Sequence, residues 1–206
     1  MNKHGIQSEI RRKYKSQTTT ADPASKAFDN LLSQNFYASK KGQVWVSDIT
    51  YIRVGFKWTY LAMVINLYNR EPVGWAHGLH PNAQLACDAL KMAIRREHPP
   101  KGLLHHSDRG CQYTSNEYRK LLNEYQMIGS MSRKGNPYDN AVAESFFKAL
   151  KTEWTNRCHN STMHDAYTSL YRYIEVFYKC QRLHEALNYE APKSFEKLQE
   201  QQILAV

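Results

Sequence analysis

The chain has 206 residues, 42% hydrophobic and 23% charged, which is ordinary for a folded protein and long enough for one sizeable α/β domain with accessory pieces. Lys and Arg number 28 against 19 Asp and Glu, a formal charge of +9, so a polyanionic partner, chiefly nucleic acid, is the class the charge points to. Cys87, Cys111, Cys158 and Cys180 form no Cys-x-x-Cys pair, which argues against a zinc knuckle or a redox motif. Met1–Lys15 has no apolar core, and the longest apolar run, Leu61–Ile65, is far too short to cross a bilayer, so a soluble, cytoplasmic protein with no membrane contact is expected.

Residues 9–15 are a basic stretch, and Ser16–Ser25 is polar and Thr-rich, read as a linker. From Gln43 the pattern changes. Val44, Val46, Thr50 and Ile52 alternate with Trp45, Ser47, Ile49 and Tyr51, and both sets are bulky, as in a strand covered on both faces. Asp48 falls in its middle, on the face of Val46 and Thr50. Strands follow near Thr59–Leu67 and Val73–Leu79. Asn82 caps a helix to about Arg96, and Leu103–Ser107 reads as a short buried strand ending at Asp108. Thr114 and Glu117 form a capping box for another helix, and Ile128–Met131 is a fifth strand. The loop Ser132–Tyr138 leads to a helix capped by Asp139 and reaching about Trp154. Thr162 and Asp165 cap a last long helix to about Arg182. This order gives an α/β fold, a mixed five-stranded sheet with helices on both faces.

Three carboxylates stand out. Asp48 lies inside an apolar strand, where an unpaired carboxylate costs several kcal/mol. Asp108 ends a strand, where α/β sheets commonly place functional groups, although a plain turn Asp fits there equally well. Glu144 lies one turn into a helix, where pairing with Lys148 on the surface is the simpler reading if it is taken alone. The first and fourth strands can be neighbours, bringing the two Asp together while the helix delivers Glu144 alongside. An all-oxygen set suits Mg²⁺ or Mn²⁺, and three such residues can hold two ions ~4 Å apart.

Three blocks carry a resemblance: Trp45-Val-Ser-Asp48-Ile-Thr-Tyr51-Ile; His106-Ser-Asp108-Arg-Gly110-Cys-Gln-Tyr113-Thr-Ser; and Ser130-Met-Ser-Arg133-Lys-Gly135-Asn-Pro-Tyr-Asp139-Asn140-Ala-Val-Ala-Glu144-Ser-Phe-Phe-Lys148-Ala-Leu-Lys151. They resemble the signature blocks of bacterial insertion-sequence transposases with a retroviral-integrase-type core, over about residues 43–200. The resemblance implies an RNase H-like fold, metal-dependent DNA cleavage and strand transfer with two Mg²⁺ or Mn²⁺, and a catalytic triad at Asp48, Asp108 and Glu144. It implies DNA ends and target as partners and a homo-oligomer on DNA. Domains are expected at 1–42 (basic segment and linker, a remnant of an upstream helical region), 43–160 (catalytic core) and 161–206 (helical extension). Because so little of the upstream region is present, a truncated, idle DNA-binding remnant that regulates the full enzyme is the alternative. Gln34 departs from a common Arg in relatives, and Asn66 and Asn69 from Asp and Ser.

Glu144, Lys148 and Lys151 share one helical stripe, opposite Ala143, Phe147, Leu150 and Trp154, so both lysines are candidate phosphate contacts rather than a merely solvated face. Arg133 and Lys134 form a basic loop that could cover DNA, and Arg109 follows Asp108 directly; these too are candidate DNA contacts. His106 and Asn140 are expected to support the carboxylates from behind, since His ligation would bias the site away from Mg²⁺. The aromatic stripe Tyr167, Tyr171, Phe177 and Tyr178 is expected in the core more than on a base-stacking surface.

Overall fold

A computed structural model describes residues 27–204; the basic stretch at 9–15 and the linker at 16–25 lie outside the described residues. Five strands run β1 (Val44–Val54), β2 (Lys57–Asn66), β3 (Pro72–Gly78), β4 (Leu104–Ser107) and β5 (Ile128–Met131). Their order in the sheet is β3-β2-β1-β4-β5, with β1–β2 and β2–β3 antiparallel and β1–β4 and β4–β5 parallel. The double-faced apolar pattern is the cause. Val44, Val46, Ile52, Leu61, Met63 and Ile65 point into one buried cluster, while Trp45, Ala62 and Val64 point into another. Each face therefore needs a helical cover.

On the Trp45 face lie α1 (Ala83–Glu97), the short α2 (Cys111–Thr114) and α3 (Asn116–Glu124). Asn82 caps α1, its Oδ1 accepting from Leu85 N at 3.0 Å. The next helix begins one residue later than expected. Ser115, not Thr114, is the cap of α3 and accepts from Tyr118 N at 3.2 Å, because residues 111–114 already form a turn of their own.

On the Val46 face lie α4 (Ala141–Leu150) and α5 (Met163–Tyr171), whose Phe146, Phe147, Leu150 and Leu170 join the cluster. Both continue as wider π-helical stretches, Lys151–Thr155 and Arg172–Tyr178, so the expected lengths hold but the hydrogen bonding changes. The two stretches meet: Trp154 stacks on Phe177 with centroids 6.4 Å apart and packs against Tyr173 at 5.6 Å. Thr162 and Asp165 form the expected capping box of α5. Of the aromatic stripe, Tyr178 is buried and Phe177 half-buried, while Tyr167 and Tyr171 are exposed, Tyr167 leaning on Trp75. A last helix, α6 (Pro192–Leu204), follows. Residues 27–43 have no regular structure yet are not separate from the sheet: Leu32 and Ala38 enter the Val46-face cluster, and Phe28 packs at the other.

The α1–β3 contact depends on Gly74. A Cβ there would collide with the Ala89 carbonyl oxygen and sit 2.6 Å from Ala93 N, both backbone atoms of α1. Gly74→Ala is therefore expected to push α1 off the sheet, costing about 1–3 kcal/mol. Thermal melting checks it; a melting temperature within a degree of wild type would mean that the helix is free to shift.

Candidate active site

The parallel register of β1 and β4 ends at Ser47↔Ser107. Asp48 and Asp108 are the next residue of each strand, so they emerge side by side where the two strands part. By strand alternation Asp48 belongs to the face of Val46, and Asp108 lies just beyond the end of β4. Asp48 Oδ1 accepts from Ile49 N at 2.8 Å and Asp108 Oδ1 from Gly110 N at 2.9 Å. The second turn is tight: a Cβ on Gly110 would lie 3.0 Å from Asp108 Oδ1 and 2.6 Å from Gln112 Oε1, so both side chains would have to shift to admit one. Both aspartates line a small cleft of about 90 Å³ with Tyr51, Tyr60, Gln112 and Tyr113.

Electrostatically the site is under strain. Burial, reinforced by the charge of Asp108, pushes the Asp48 carboxyl well above the usual carboxylate range; Ile49 N–H draws it back, Glu144 pushes it up again and Lys151 draws it down. Burial raises Asp108 too, against the Gly110 N–H, and raises Glu144. None of the salt bridges among the described residues involves these three acids. Crowded, desolvated carboxylates without a counter-ion are a set that a hard cation would relieve.

Glu144 is where the structure is looser than the sequence pattern implies. It stands on the exposed side of α4, over the same sheet face and within electrostatic reach of Asp48, but outside the lining of the cleft. Among the described residues no three His, Cys, Asp or Glu side chains are close enough to hold one ion together. The two aspartates thus line one cleft, while Glu144 stays outside its lining.

The supporting residues divide clearly. Asn140 Nδ2 donates to the Ser47 carbonyl at 3.2 Å, directly behind Asp48, and its Oδ1 is buried with no hydrogen-bond partner among the described residues. His106 is fully buried, with Nδ1 2.9 Å from Ser130 Oγ and Nε2 3.2 Å from Ser132 Oγ; burial lowers its pKa to about 4, so it is a neutral strut between β4 and β5. His105 faces the other way, toward Ser47 and Tyr118, and burial lowers it to about 3.

Lys148 is exposed on the stripe of Glu144, and Lys151 is half-buried with Nζ 3.8 Å from the Tyr51 ring centroid. Burial lowers the Lys151 pKa, and the charge of Asp48 opposes that. Lys134 is exposed. Arg109 is exposed but its Nε is tied to the Ser132 carbonyl at 2.7 Å. Arg133 differs from its expected role in a free basic loop. It forks onto Asp139, Nε to Oδ2 at 3.0 Å and Nη2 to Oδ1 at 2.8 Å, so its charge is already matched.

Asp139 is the residue whose role the sequence concealed. It does not cap α4; it sits in a 3-10 turn, Pro137–Asn140, capped by Asn136, and Asn140 takes the cap position of α4. Its fully buried carboxylate accepts from Arg133 N, Nε and Nη2, from Gln34 Nε2 at 2.8 Å and from Asn30 Nδ2 at 2.9 Å. These charge-assisted bonds outcompete a helix cap, and they hold Asp139 far below the usual carboxylate range. The chain entering the sheet is thereby fastened to the turn that aims α4. The one signal of this in the sequence is the unusual Gln34, which alone gives no partner.

Comparison with known proteins gives the family and the fold. Integrase core domain families match residues 38–137 and 125–192. A transposase for insertion sequence element IS904 of Lactococcus lactis is 41% identical over 185 residues, covering 90% of this chain and 73% of that one. Transposase InsF for insertion sequence IS3A of Escherichia coli K12 is 40% identical over 198 residues, covering 95% and 68%. Among solved structures, the HTLV-2 integrase catalytic core domain in complex with magnesium superposes with a TM-score of 0.59 at 13% identity, over 77% of this chain and 99% of that one. A chain of the simian T-cell lymphotropic virus intasome gives a TM-score of 0.64 at 14% identity, over 85% and 60%. At such identities the two structures attest the RNase H-like fold of retroviral integrase cores.

Proposed function

Since the chain belongs to the insertion-sequence transposases with an integrase core domain, we propose that it is a metal-dependent polynucleotidyl transferase that cuts DNA at an element's ends and joins them to target DNA. The observation that carries this reading is the pair of adjacent, desolvated aspartates at the split between β1 and β4, in none of the salt bridges among the described residues, with Glu144 within electrostatic reach. In this proposal Asp48, Asp108 and Glu144 would hold two Mg²⁺ or Mn²⁺, with the Glu144 side chain reaching in from the exposed side of α4. When bound, such ions would activate water or a 3′-hydroxyl and steady the leaving oxygen. The protein's own groups do the rest. Asn140 fixes the Ser47 carbonyl and with it the backbone carrying Asp48. Lys148 and Lys151 hold phosphates beside the scissile bond, with Lys134 and Arg109 at the margin. Residues 43–160 act as the catalytic core and 161–206 as its extension, anchored through Leu170, Tyr173, Ile174 and Tyr178. The acting form is a homo-oligomer on DNA. Among the described residues no helix is long and apolar enough to cross a membrane, consistent with action on DNA in the cytoplasm.

The test is a strand-transfer assay on the element's terminal DNA with Mg²⁺ or Mn²⁺. Joined product supports the reading; DNA binding without any cleavage under either ion would replace it by an idle, regulatory binder. The lysines make a separate prediction. Lys148→Ala or Lys151→Ala is expected to weaken binding equally across sequences, and to lower the slope of log affinity against log salt by ~1 for each phosphate that the variant no longer holds. Unchanged slopes in both variants would remove them from the DNA interface.

A further inference from the structure

Beside the carboxylate cleft runs a larger groove of about 870 Å³, walled by Tyr51, Arg53, Phe56, Trp58 and Lys151 and, opposite them, by residues of the 155–161 segment. Backbone pairing of Gly55 N with the Asn160 carbonyl at 2.8 Å ties the two walls together. The aromatic rings are unusually bare: Phe56 is 99% exposed, Trp58 55% and Tyr51 52%. Tyr51 and Trp58 are nonetheless ordered against one another, meeting edge to face with centroids 5.0 Å apart, and Lys151 is seated on the Tyr51 ring. Among the described residues no Asp or Glu lines the groove, whereas Arg53 and Lys151 do.

Two features choose the occupant. Cations with no acid among them fit a polyanion and disfavour an ordinary protein surface of mixed charge. Open aromatic faces fit bases, and only bases that have left the duplex stack offer theirs. The groove also leads to the proposed chemistry. Tyr51 lines both cavities, and Lys151 both walls the groove and acts on Asp48. Tyr51 lies three residues along β1 from Asp48, about 10 Å, which a DNA strand covers in no more than about three nucleotides.

We propose that this groove is a stacking site for unpaired nucleotides of the strand that lies at the carboxylates, with bases on Trp58 and Phe56 and phosphates at Lys151 and Arg53. It rests on the DNA strand-transfer reading and specifies the form of the substrate: an end whose last base pairs are open. The bases must flip out of pairing, and the stack repays that cost.

The experiment uses the full chain and two fluorescent oligonucleotide duplexes of one sequence, one blunt and one with its terminal three pairs replaced by mismatches. Anisotropy titrations give the affinity for each. Stacking is worth ~1–3 kcal/mol per base, so wild type is expected to prefer the open end about tenfold or more. Trp58→Ala and Phe56→Ala are expected to lose most of that preference while binding blunt DNA as wild type does, and Trp58→Phe to keep it. A wild type that binds both duplexes equally, or a Trp58→Ala variant that keeps the full preference, overturns the stacking site and leaves the strand-transfer reading standing. Absence of binding to either duplex by wild type overturns the DNA reading itself.

Discussion

Replacing Asp48 by Asn is expected to stabilise the metal-free protein and to abolish its chemistry. Asn keeps the shape and its Oδ1 can still accept from Ile49 N–H, so the strand is undisturbed. What disappears is a desolvated charge facing Asp108 and Glu144. Relief of such a charge is expected to raise stability by roughly 1–3 kcal/mol, a melting shift of about 2–4 °C per kcal/mol for a chain of this size. The sign with pH follows. A carboxyl raised in the folded state costs nothing below its unfolded pKa of about 4 and costs fully above its folded value, so the gain from Asn is present at neutral pH and vanishes in acid. Added Mg²⁺ is expected to reverse the ranking, stabilising wild type and leaving the variant unmoved. Cleavage and joining should fall about a thousandfold, since losing a ligand forfeits several kcal/mol of charge stabilisation. Glu144→Gln should lose the chemistry to a similar extent while DNA still binds, even slightly tighter. Melts with and without Mg²⁺, run beside a strand-transfer assay, decide it; near-normal joining by either variant would end the triad assignment.

Asp139→Ala is expected to be the most damaging single change outside Asp48, Asp108 and Glu144. It strands donors from Arg133, Gln34 and Asn30, and the Arg133 backbone N–H, around a fully buried point. Arg133 itself is exposed and would be rehydrated, so the cost comes mostly from the other donors, about 2–4 kcal/mol. Because the carboxyl is held below its usual range, its contribution is fully present above about pH 4 and is lost as the pH falls through the folded value. The turn before α4 should loosen as well, so residual folded protein should join DNA poorly while still binding it. A melting temperature within about 2 °C of wild type, with joining intact, would show the hub to be dispensable.

Much of the fold can be read from the chain because its signals are local. Bulky residues on both alternations of β1 demand two covered faces, and Thr162 with Asp165 marks a helix start from four residues. Asp48 stands out because an acid in such a strand is costly anywhere. Its neighbour Asp108 follows from strand order, since a short strand after a crossover helix pairs with β1. The missed features are those whose partners are distant. Asp139 precedes a helix and so looks like a cap; only Asn30 and Gln34, more than a hundred residues away, reveal the hub. Thr114 and Ser115 offer equivalent hydroxyls, and the extra turn at 111–114 decides between them. Tyr51, Phe56 and Trp58 are good strand formers, so nothing in their spacing announces that they stay bare.

The sheet order carries a consequence for assembly. Strands β1, β2 and β3 are sequential and joined by short turns, whereas β4 reaches the other edge of β1 only after α1 has crossed the sheet. Local pairings close at a smaller entropic cost than distant ones and form sooner. The three-stranded meander is therefore expected to pair first, with Asp108 joining Asp48 only once α1 has crossed the sheet and β4 has docked. A chain in which β4 has not yet docked would lack the paired acids, so the proposed metal site is expected only in molecules whose sheet is nearly whole.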